Sequence, residues 1–160
     1  MLSWGFRVTC TANISQIEVL SETVPDVARR LISKFLPGAL TIVLPASPSV
    51  PEIITAGGAT VAVRIPAHPI PLALIEGTGT PLVGTSANVS GRPSPLTAGE
   101  VYDQLGDEVD LIIDEGKPCP GTASTIVDMT REVLVIIREG AISREEIEEV
   151  YQSSSTEKGD

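Results

Sequence analysis

Apolar residues recur every three to four positions between Thr23 and Pro37, and this spacing predicts an amphipathic helix. Thr23 is expected to cap its amino end, with Pro25 in the first turn, where a missing N–H costs nothing. Pro37 and Gly38 are expected to end the helix. The predicted buried stripe consists of Val27, Ala28, Leu31, Ile32 and Phe35.

Three more helices are predicted from the residues at their amino ends. Proline at Pro69 fits only a first turn, which predicts a short helix from there to Glu76. Thr97 is followed three residues later by glutamate, the spacing of a capping box, and Gly106 is expected to close that helix. Ser143 has the same pattern ahead of an acidic stretch, which predicts a final helix.

Runs of β-branched residues, bounded by proline, glycine or polar residues, predict the strands of a mixed sheet. The last two runs are separated by a short polar turn, which predicts a hairpin. We expect the run that begins at Pro81 to be the central, buried strand. Strands interspersed with helices predict an α/β fold (mixed α+β) in which helices flank the sheet. The predicted strands are Phe6–Thr11, Ala39–Leu44, Thr60–Pro66, Pro81–Val83, Val109–Asp114, Ser124–Asp128 and Val133–Arg138.

The composition is that of a globular protein whose charge disfavours general binding of nucleic acid. Hydrophobic residues make up 42% and charged residues 20% of the chain, and the formal net charge is −10. No apolar run could span a bilayer and no signal-peptide pattern is visible, so we expect a cytoplasmic protein. Cys10 and Cys119 fit neither a disulfide framework nor a zinc pattern. We expect residues 1–151 to form a single domain and residues 152–160 a disordered tail.

Polar or basic side chains stand where apolar strands are predicted to end. Ligands of α/β sheets gather at the carboxyl ends of strands, so we expect these side chains to line one cleft. Two arginines facing neutral hydroxyl and amide groups suit an anionic ligand such as a phosphate or a carboxylate. The alternatives are an ordinary Ser/Asn turn and solvated edge arginines. The side chains concerned are Arg64, Ser86, Asn88, Ser124 and Arg138.

Several well-known kinds of site are missing from the sequence. Ser86 is not in a Gly-x-Ser-x-Gly elbow, and neither a Walker A string nor a Gly-x-Gly-x-x-Gly loop is present. His68 is the sole histidine, and we expect it to be a structural or surface residue. The glutamates that follow Arg144 are expected to form a solvated helix face, and we predict no protein metal centre.

Five strings, in order and spacing, resemble the YrdC (TsaC) family. No single string would suffice, but the ordered set is specific, and the resemblance covers roughly Leu31 to Ile147. The first string is similar to the Pro-Gly-Pro-x-Thr stretch of that family. The strings are Leu36–Thr41, Val61–His68, Ser86–Gly91, Ser124–Asp128 and Ile137–Ile142.

The resemblance implies a twisted open sheet, flanked by helices, around a deep and positively lined cavity. It also implies a nucleotidyltransferase, a threonylcarbamoyl-AMP synthase, which makes threonylcarbamoyl-adenylate and pyrophosphate from L-threonine, bicarbonate and ATP, with Mg²⁺ assisting pyrophosphate departure. A separate transferase complex then modifies an adenosine of tRNA. Contact with tRNA or double-stranded RNA and formation of a homodimer are further expectations of this reading.

The motifs also imply roles for individual residues. Arg64, Ser86 and Ser124 are expected to bind L-threonine, with the Arg64 guanidinium on its carboxylate. No catalytic residue is assigned, because the reaction needs positioning and charge stabilisation rather than a covalent nucleophile. The residues expected to bind ATP are Thr60, Asn88, Thr97 and Arg138.

The sequence departs from the family pattern mainly near its start. Family members carry a Thr-x-Tyr-Gly-Leu-like segment and a Lys-x-Arg-Pro motif that binds phosphates, and neither string is present here. The string Trp4–Arg7 stands where a Pro-Leu-x-x-His strand is frequent, Ala39 replaces the second proline, and Leu96 stands where threonine is frequent. We therefore expect a synthase shortened at its amino end.

Two alternatives to the synthase come from other classes of protein. One is a non-catalytic YrdC-like module that binds nucleotide or RNA, since the phosphate-binding motif is missing. The other is a carbamoyl-transfer domain of the hydrogenase-maturation type, which shares the fold. The absence of zinc-finger and acylphosphatase-like regions from the sequence counts against the latter.

Overall fold

The structure is a computed structural model that describes residues 7–117 and 121–153. Cys119 and residues 154–160, which make up most of the predicted tail, lie outside these ranges. Gln152, the first residue of that predicted tail, instead ends the last helix.

The described residues form two compact units. The larger contains residues 7–84 and 123–153, and the smaller contains residues 85–117 and 121–122.

The larger unit is built on a six-stranded mixed sheet with helices, which confirms the predicted α/β fold class. The strand order is β4-β1-β3-β2-β5-β6. Strands β1 and β3 are parallel, as are β2 and β5, and the other neighbours are antiparallel. The strands are β1 (Val8–Cys10), β2 (Leu40–Pro45), β3 (Thr60–Arg64), β4 (Leu82–Gly84), β5 (Thr125–Asp128) and β6 (Val135–Arg138). Its helices are α1 (Ile14–Leu20), α2 (Asp26–Phe35), α3 (Glu52–Thr55), α4 (Pro69–Thr78) and α6 (Arg144–Gln152).

The two faces of this sheet differ. Side chains alternate along each strand, so that on β2 Ile42 joins the main hydrophobic cluster whereas Val43 joins a small second cluster with Ala62 and Ile126. All five helices of the unit contribute side chains to the main cluster. The helical layer therefore lies on one face, and the other face carries the small cluster of Val43, Ala62 and Ile126. The buried helical residues of the main cluster are Ile17, Ala28, Leu31, Ile32 and Ile147.

Several predicted elements are confirmed with small shifts. The buried stripe of α2 is as predicted, with Leu31 fully buried, but the helix begins at Asp26 and not at Thr23. The residue before a proline disfavours the helical conformation, which keeps Val24 outside and leaves Pro25 as the N-cap. The β5–β6 hairpin and the Ser143 capping box are also observed.

One helix was missed by the sequence-based prediction, and two expectations about strands are wrong. Helix α1 was not predicted, although Asn13 caps it by accepting from the backbone N–H of Gln16 at 3.1 Å. Strand β4 is an edge strand and not the central one, and Val83 is 48% exposed. Residues 109–114 form no strand, because Leu111 and its neighbours are too exposed to supply a buried face, at 74% for Leu111.

The smaller unit contains helix α5 (Ala98–Leu105), followed by a short 3₁₀ helix, Gly106–Glu108. Thr97 is its N-cap, and Gly106 is its C-cap, as predicted. The carboxylate of Glu100 accepts from the backbone N–H of Leu96 at 2.6 Å, one residue earlier than in a standard capping box.

Candidate functional site

Three of the predicted site residues lie at one end of the strands of the large sheet, and we term this end the edge. Arg64 ends β3 and Arg138 ends β6, while Ser124 immediately precedes β5. Since β3 and β6 run antiparallel to β2 and β5, the ends of the first pair and the starts of the second share an edge. The expectation that Ser124 follows a strand is wrong, but the reversed direction of β5 still brings it to the arginines.

Ser124 and Arg138 are in direct contact. Nε and Nη2 of Arg138 donate to the backbone carbonyl oxygen of Ser124, at 3.1 and 2.8 Å, and Nη2 also donates to Ser124 Oγ at 3.2 Å. Ser124 is buried, with 6% of its surface exposed. The arginine is exposed, so its fixed guanidinium places positive charge beside a serine hydroxyl at the surface of the edge.

Arg64 is held by a loop carbonyl. Its Nε donates to the backbone oxygen of Gly38 at 2.8 Å, and the N–H of Gly38 donates in turn to Ile65 at 2.9 Å. Within the described part of the chain, the two terminal nitrogens of Arg64 have no hydrogen-bond partner. A guanidinium anchored in this way can offer both terminal nitrogens to a carboxylate.

Cys10 is the neighbour of Arg64 across the β1–β3 ladder. Burial raises the pKa of the Cys10 thiol above its ordinary value, and the Arg64 charge offsets part of that rise. The thiol therefore reports on the charge at position 64.

Two threonines that were not predicted as site residues form hydrogen bonds at this edge. The hydroxyl of Thr41, fully buried on β2, lies 2.9 Å from Ser124 Oγ. The hydroxyl of Thr125 donates to the carbonyl of Ile142 at 2.5 Å and accepts from the N–H groups of Gly140 and Ile142. A polar residue inside a run that is otherwise apolar, as in Thr41-Ile42-Val43-Leu44, is the signal that could have pointed to the first.

Thr60 lies on the same face as Arg64 but at the opposite end of β3. Positions 60, 62 and 64 share a face because side chains alternate, and four residues span roughly 13 Å along a strand. Thr60 is exposed, and Ala62 between them is small and buried. An elongated ligand lying along β3 on this face could reach both ends.

In the smaller unit, the amide of Asn88 holds its own loop. Its Nδ2 donates to the carbonyl oxygens of Val89 and Arg92, at 3.0 and 2.9 Å. Its Oδ1 is buried and has no partner among the described residues. Gln104, on α5, forms two hydrogen bonds to the same loop. Its Oε1 accepts from the N–H of Val89 at 3.1 Å, and its Nε2 donates to the carbonyl oxygen of Pro93 at 3.0 Å. Asn88 therefore stabilises a turn, and its buried Oδ1 is an unpaired acceptor within the described residues.

The remaining predicted residues of the smaller unit have simpler surroundings. Ser86 is exposed. Thr97 is also exposed, and its hydroxyl accepts from the N–H of Glu100 at 3.2 Å, which makes it the N-cap of α5. The structure thus brings together Ser124 and Arg138, places Arg64 at the same edge, and puts Ser86, Asn88 and Thr97 in a unit of their own.

His68 caps helix α4, with Nδ1 accepting from the N–H of Ile70 at 3.3 Å. Among the described residues, no group of three or more histidine, cysteine or acidic side chains could hold a metal ion. In the same part of the chain, no helix is long and apolar enough to cross a membrane.

Comparison with known proteins gives consistent matches. A family model named Sua5_yciO_yrdC, described as telomere recombination, matches residues 6–140. The threonylcarbamoyl-AMP synthase of Pyrococcus abyssi is 45% identical over 139 residues, which are 87% of this chain and 41% of that protein. The Bacillus subtilis threonylcarbamoyl-AMP synthase is 41% identical over 149 residues, 92% of this chain and 43% of that protein.

A solved structure agrees with these sequence matches. The crystal structure of P. abyssi Sua5 complexed with L-threonine superposes with a TM-score of 0.86 at 44% identity, covering 90% of this chain and 42% of that one. The chain therefore spans about two fifths of the length of the relatives named here.

Proposed function

The chain belongs to the Sua5/YciO/YrdC family, and we propose that it is a threonylcarbamoyl-AMP synthase. Relatives that carry this name match most of the chain, and a superposable relative was crystallised with L-threonine. The observation that carries the proposal is the donor-rich edge of Arg64, Ser124 and Arg138, which suits an anionic substrate.

The proposed reaction joins three substrates. The amino nitrogen of L-threonine forms a bond to the carbon of bicarbonate with loss of water, which gives a carbamate. A carbamate oxygen then attacks the α-phosphorus of ATP, and the bond from that phosphorus to pyrophosphate breaks. The products are threonylcarbamoyl-adenylate and pyrophosphate, and no covalent intermediate with the protein is needed.

The described residues can be given roles in this reaction. Arg64 binds the carboxylate of L-threonine through its terminal nitrogens, and Ser124 contacts the same substrate. Arg138 and Thr60 bind ATP, and the direct Arg138–Ser124 contact supports adjoining sites for the two substrates that must be joined. The catalytic contribution is positioning and stabilisation of charge on the phosphates.

The smaller unit has a proposed role of its own. We propose that Ser86 contacts L-threonine and that Asn88 and Thr97 contact ATP. The turn hydrogen bonds of Asn88 use its Nδ2, so a ligand group that reaches its buried Oδ1 must be a donor.

Further proposals concern cofactors, partners and organisation. Mg²⁺ enters with the ATP phosphates as part of the substrate, since the described residues offer no acidic cluster of their own to hold it. The product passes to a tRNA threonylcarbamoyl-transferase complex, which is consistent with a cytoplasmic location. A homodimer, a weak contact with tRNA or double-stranded RNA, and one domain over residues 1–151 also remain proposals.

The test of this function is release of pyrophosphate from ATP by the purified chain. We expect release that requires both L-threonine and bicarbonate, and that falls at least tenfold in Arg138→Gln. Arg131→Gln is the matched control, because Arg131 lies in the turn at the far end of the same hairpin, with its side chain 71% exposed. Lack of release by folded protein would contradict the proposal and favour a module that binds nucleotide without catalysis.

A further inference from the structure

Thr41 is a buried hydroxyl on the sheet face opposite the main hydrophobic cluster. It is fully buried on β2 and shares its face with Val43, whereas the side chains of Leu40 and Ile42 belong to the main cluster. Its only hydrogen-bond partner among the described residues is Ser124 Oγ, at 2.9 Å. Because a buried hydroxyl hydrogen needs an acceptor, the direction of this one bond can be deduced.

The surroundings of Ser124 Oγ decide that direction. A guanidinium has donors only, so Nη2 of Arg138, at 3.2 Å, uses one lone pair of this oxygen. If Thr41 donates to the second lone pair, the Thr41 hydrogen is satisfied. If Ser124 donated to Thr41 instead, the Thr41 hydrogen would have no acceptor within the described residues, which is costly for a buried group. The bond therefore runs from Thr41 to Ser124.

We propose that Thr41 is a positioning residue that fixes Ser124 as a hydrogen-bond donor to the substrate. This rests on the proposed function. With both lone pairs occupied, Ser124 can offer only its own hydrogen, and the terminal nitrogens of Arg64 can also only donate. The ligand group at this edge is therefore an acceptor, a carboxylate or carbonyl oxygen. An ammonium group placed between the Arg64 terminal nitrogens and Ser124 Oγ would face donors and a like charge, so these groups orient the amino acid with its carboxylate towards them.

The first experiment compares L-threonine affinity in two variants by calorimetry. Thr41→Val keeps the shape of the side chain but removes the donor, and we expect the Kd to rise about three- to tenfold. Thr41→Ser restores the hydroxyl and should bind within about twofold of the unsubstituted chain. L-threoninol, which lacks the carboxylate, should bind at least tenfold more weakly than L-threonine.

A double-mutant cycle separates positioning from a general structural effect. In a Ser124→Ala background, Thr41 has no serine to orient, so adding Thr41→Val should leave the Kd unchanged within about twofold. An equal loss in both backgrounds would overturn the inference. An unchanged Kd for Thr41→Val alone would do so as well.

A further measurement uses the unsubstituted chain, so its outcome does not depend on whether a variant folds. The Thr41 hydroxyl proton should give a slowly exchanging NMR signal, whereas the Ser124 hydroxyl proton should exchange fast until L-threonine is added. The reverse order of protection would overturn the inference while leaving the proposed function intact. A chain that binds no L-threonine would instead overturn the proposed function, and this inference with it.

Discussion

At the scale of single residues, each arginine of the proposed site is fixed by a carbonyl oxygen of its own unit. Arg64 is anchored to Gly38 and Arg138 to Ser124, so little side-chain freedom remains to be lost when a ligand binds. Neither contact neutralises the guanidinium, because a carbonyl carries no net charge. The edge is thus arranged for an anion before one arrives.

Replacing Arg64 by glutamine should weaken L-threonine binding by about 10- to 100-fold, since a hydrogen bond to a charged group contributes about 1.5–3 kcal/mol. Calorimetric titration of the folded variant measures this. Arg29→Gln is the control, because Arg29 lies on the outer surface of α2 and pairs with Glu18. Equal affinity in Arg64→Gln and the unsubstituted chain would remove Arg64 from the site.

The Cys10 thiol gives an independent check on the same charge. Burial raises its pKa, so alkylation by iodoacetamide should reach half its maximal rate at a higher pH than for an unfolded thiol. Arg64→Gln should raise that midpoint further, because the neighbouring positive charge is lost. The rates are measured in a Cys119→Ser background, and a midpoint that does not change would contradict the proximity of the two groups.

The Cys10 shift also has a consequence for stability. The folded-state pKa of this thiol lies above its unfolded-state pKa. The neutral thiol therefore makes its full contribution to the free energy of unfolding at pH values below the unfolded-state pKa. That contribution is lost as the pH rises through the folded pKa, so stability should fall in alkaline solution.

The sequence was enough to predict that Arg64 and Arg138 stand at strand ends, but not the contacts between the site residues. Arg64 and Arg138 end apolar runs, and this pattern is local. The bond between Thr41 and Ser124 joins residues 83 positions apart and depends on β2 pairing with β5. No local pattern encodes that pairing.

At the scale of elements, the β5–β6 hairpin and the turn after it hold Ser124 in place. A Cβ atom at Gly140 would lie 2.2 Å from the carbonyl oxygen of Ala123 and 2.6 Å from the carbonyl carbon of Ser124. The N–H of Gly140 donates to Thr125 at 2.9 Å. The close approach of these two backbone segments therefore requires glycine.

Gly140→Ala should displace the Ser124 backbone, lower stability by about 1–3 kcal/mol and weaken L-threonine binding. Urea unfolding and calorimetry measure the two effects. Gly77→Ala in α4 is the matched control, because a Cβ atom there has nothing within 4 Å and alanine favours a helix. If Gly140→Ala has the same stability and the same affinity for L-threonine as the unsubstituted chain, glycine is not required at this position.

Packing of α2 against the sheet supplies much of the stability of the larger unit. Leu31 is fully buried, so Leu31→Ala should cost about 2–5 kcal/mol in the free energy of unfolding. Leu74→Ala, on α4, is the control at 43% exposure and should cost about 1 kcal/mol or less. Equal costs for the two changes would contradict the burial described for α2.

The elements that sequence reasoning missed share a physical cause. Helix α1 is only seven residues long and owes its start to the Asn13 side chain, and β4 is placed by its neighbour β1 rather than by its own pattern. Residues 109–114 are apolar enough for a strand but have no strand partner among the described residues. In each case a tertiary contact or a single capping residue determines whether the element forms. In α2 and the hairpin, by contrast, a pattern of apolar residues is repeated along the element and can be recognised in the sequence.

At the scale of the whole molecule, the net charge of −10 contrasts with the positive edge formed by Arg64 and Arg138. A local cluster of donors in an acidic chain favours a small anion over the extended phosphate backbone of a nucleic acid. The ordered strings of the sequence were enough to predict the family, and the matches over residues 6–140 confirm it.

Binding of L-threonine at this edge is tested most directly by an NMR titration of the ¹⁵N-labelled chain with L-threonine. We expect saturable shifts of the Arg64 Nε–H signal and of the backbone amides of Gly38, Thr125 and Gly140, all at the edge that contains Ser124. Saturable shifts confined to other parts of the chain, or no shifts in folded protein, would contradict a binding site at this edge.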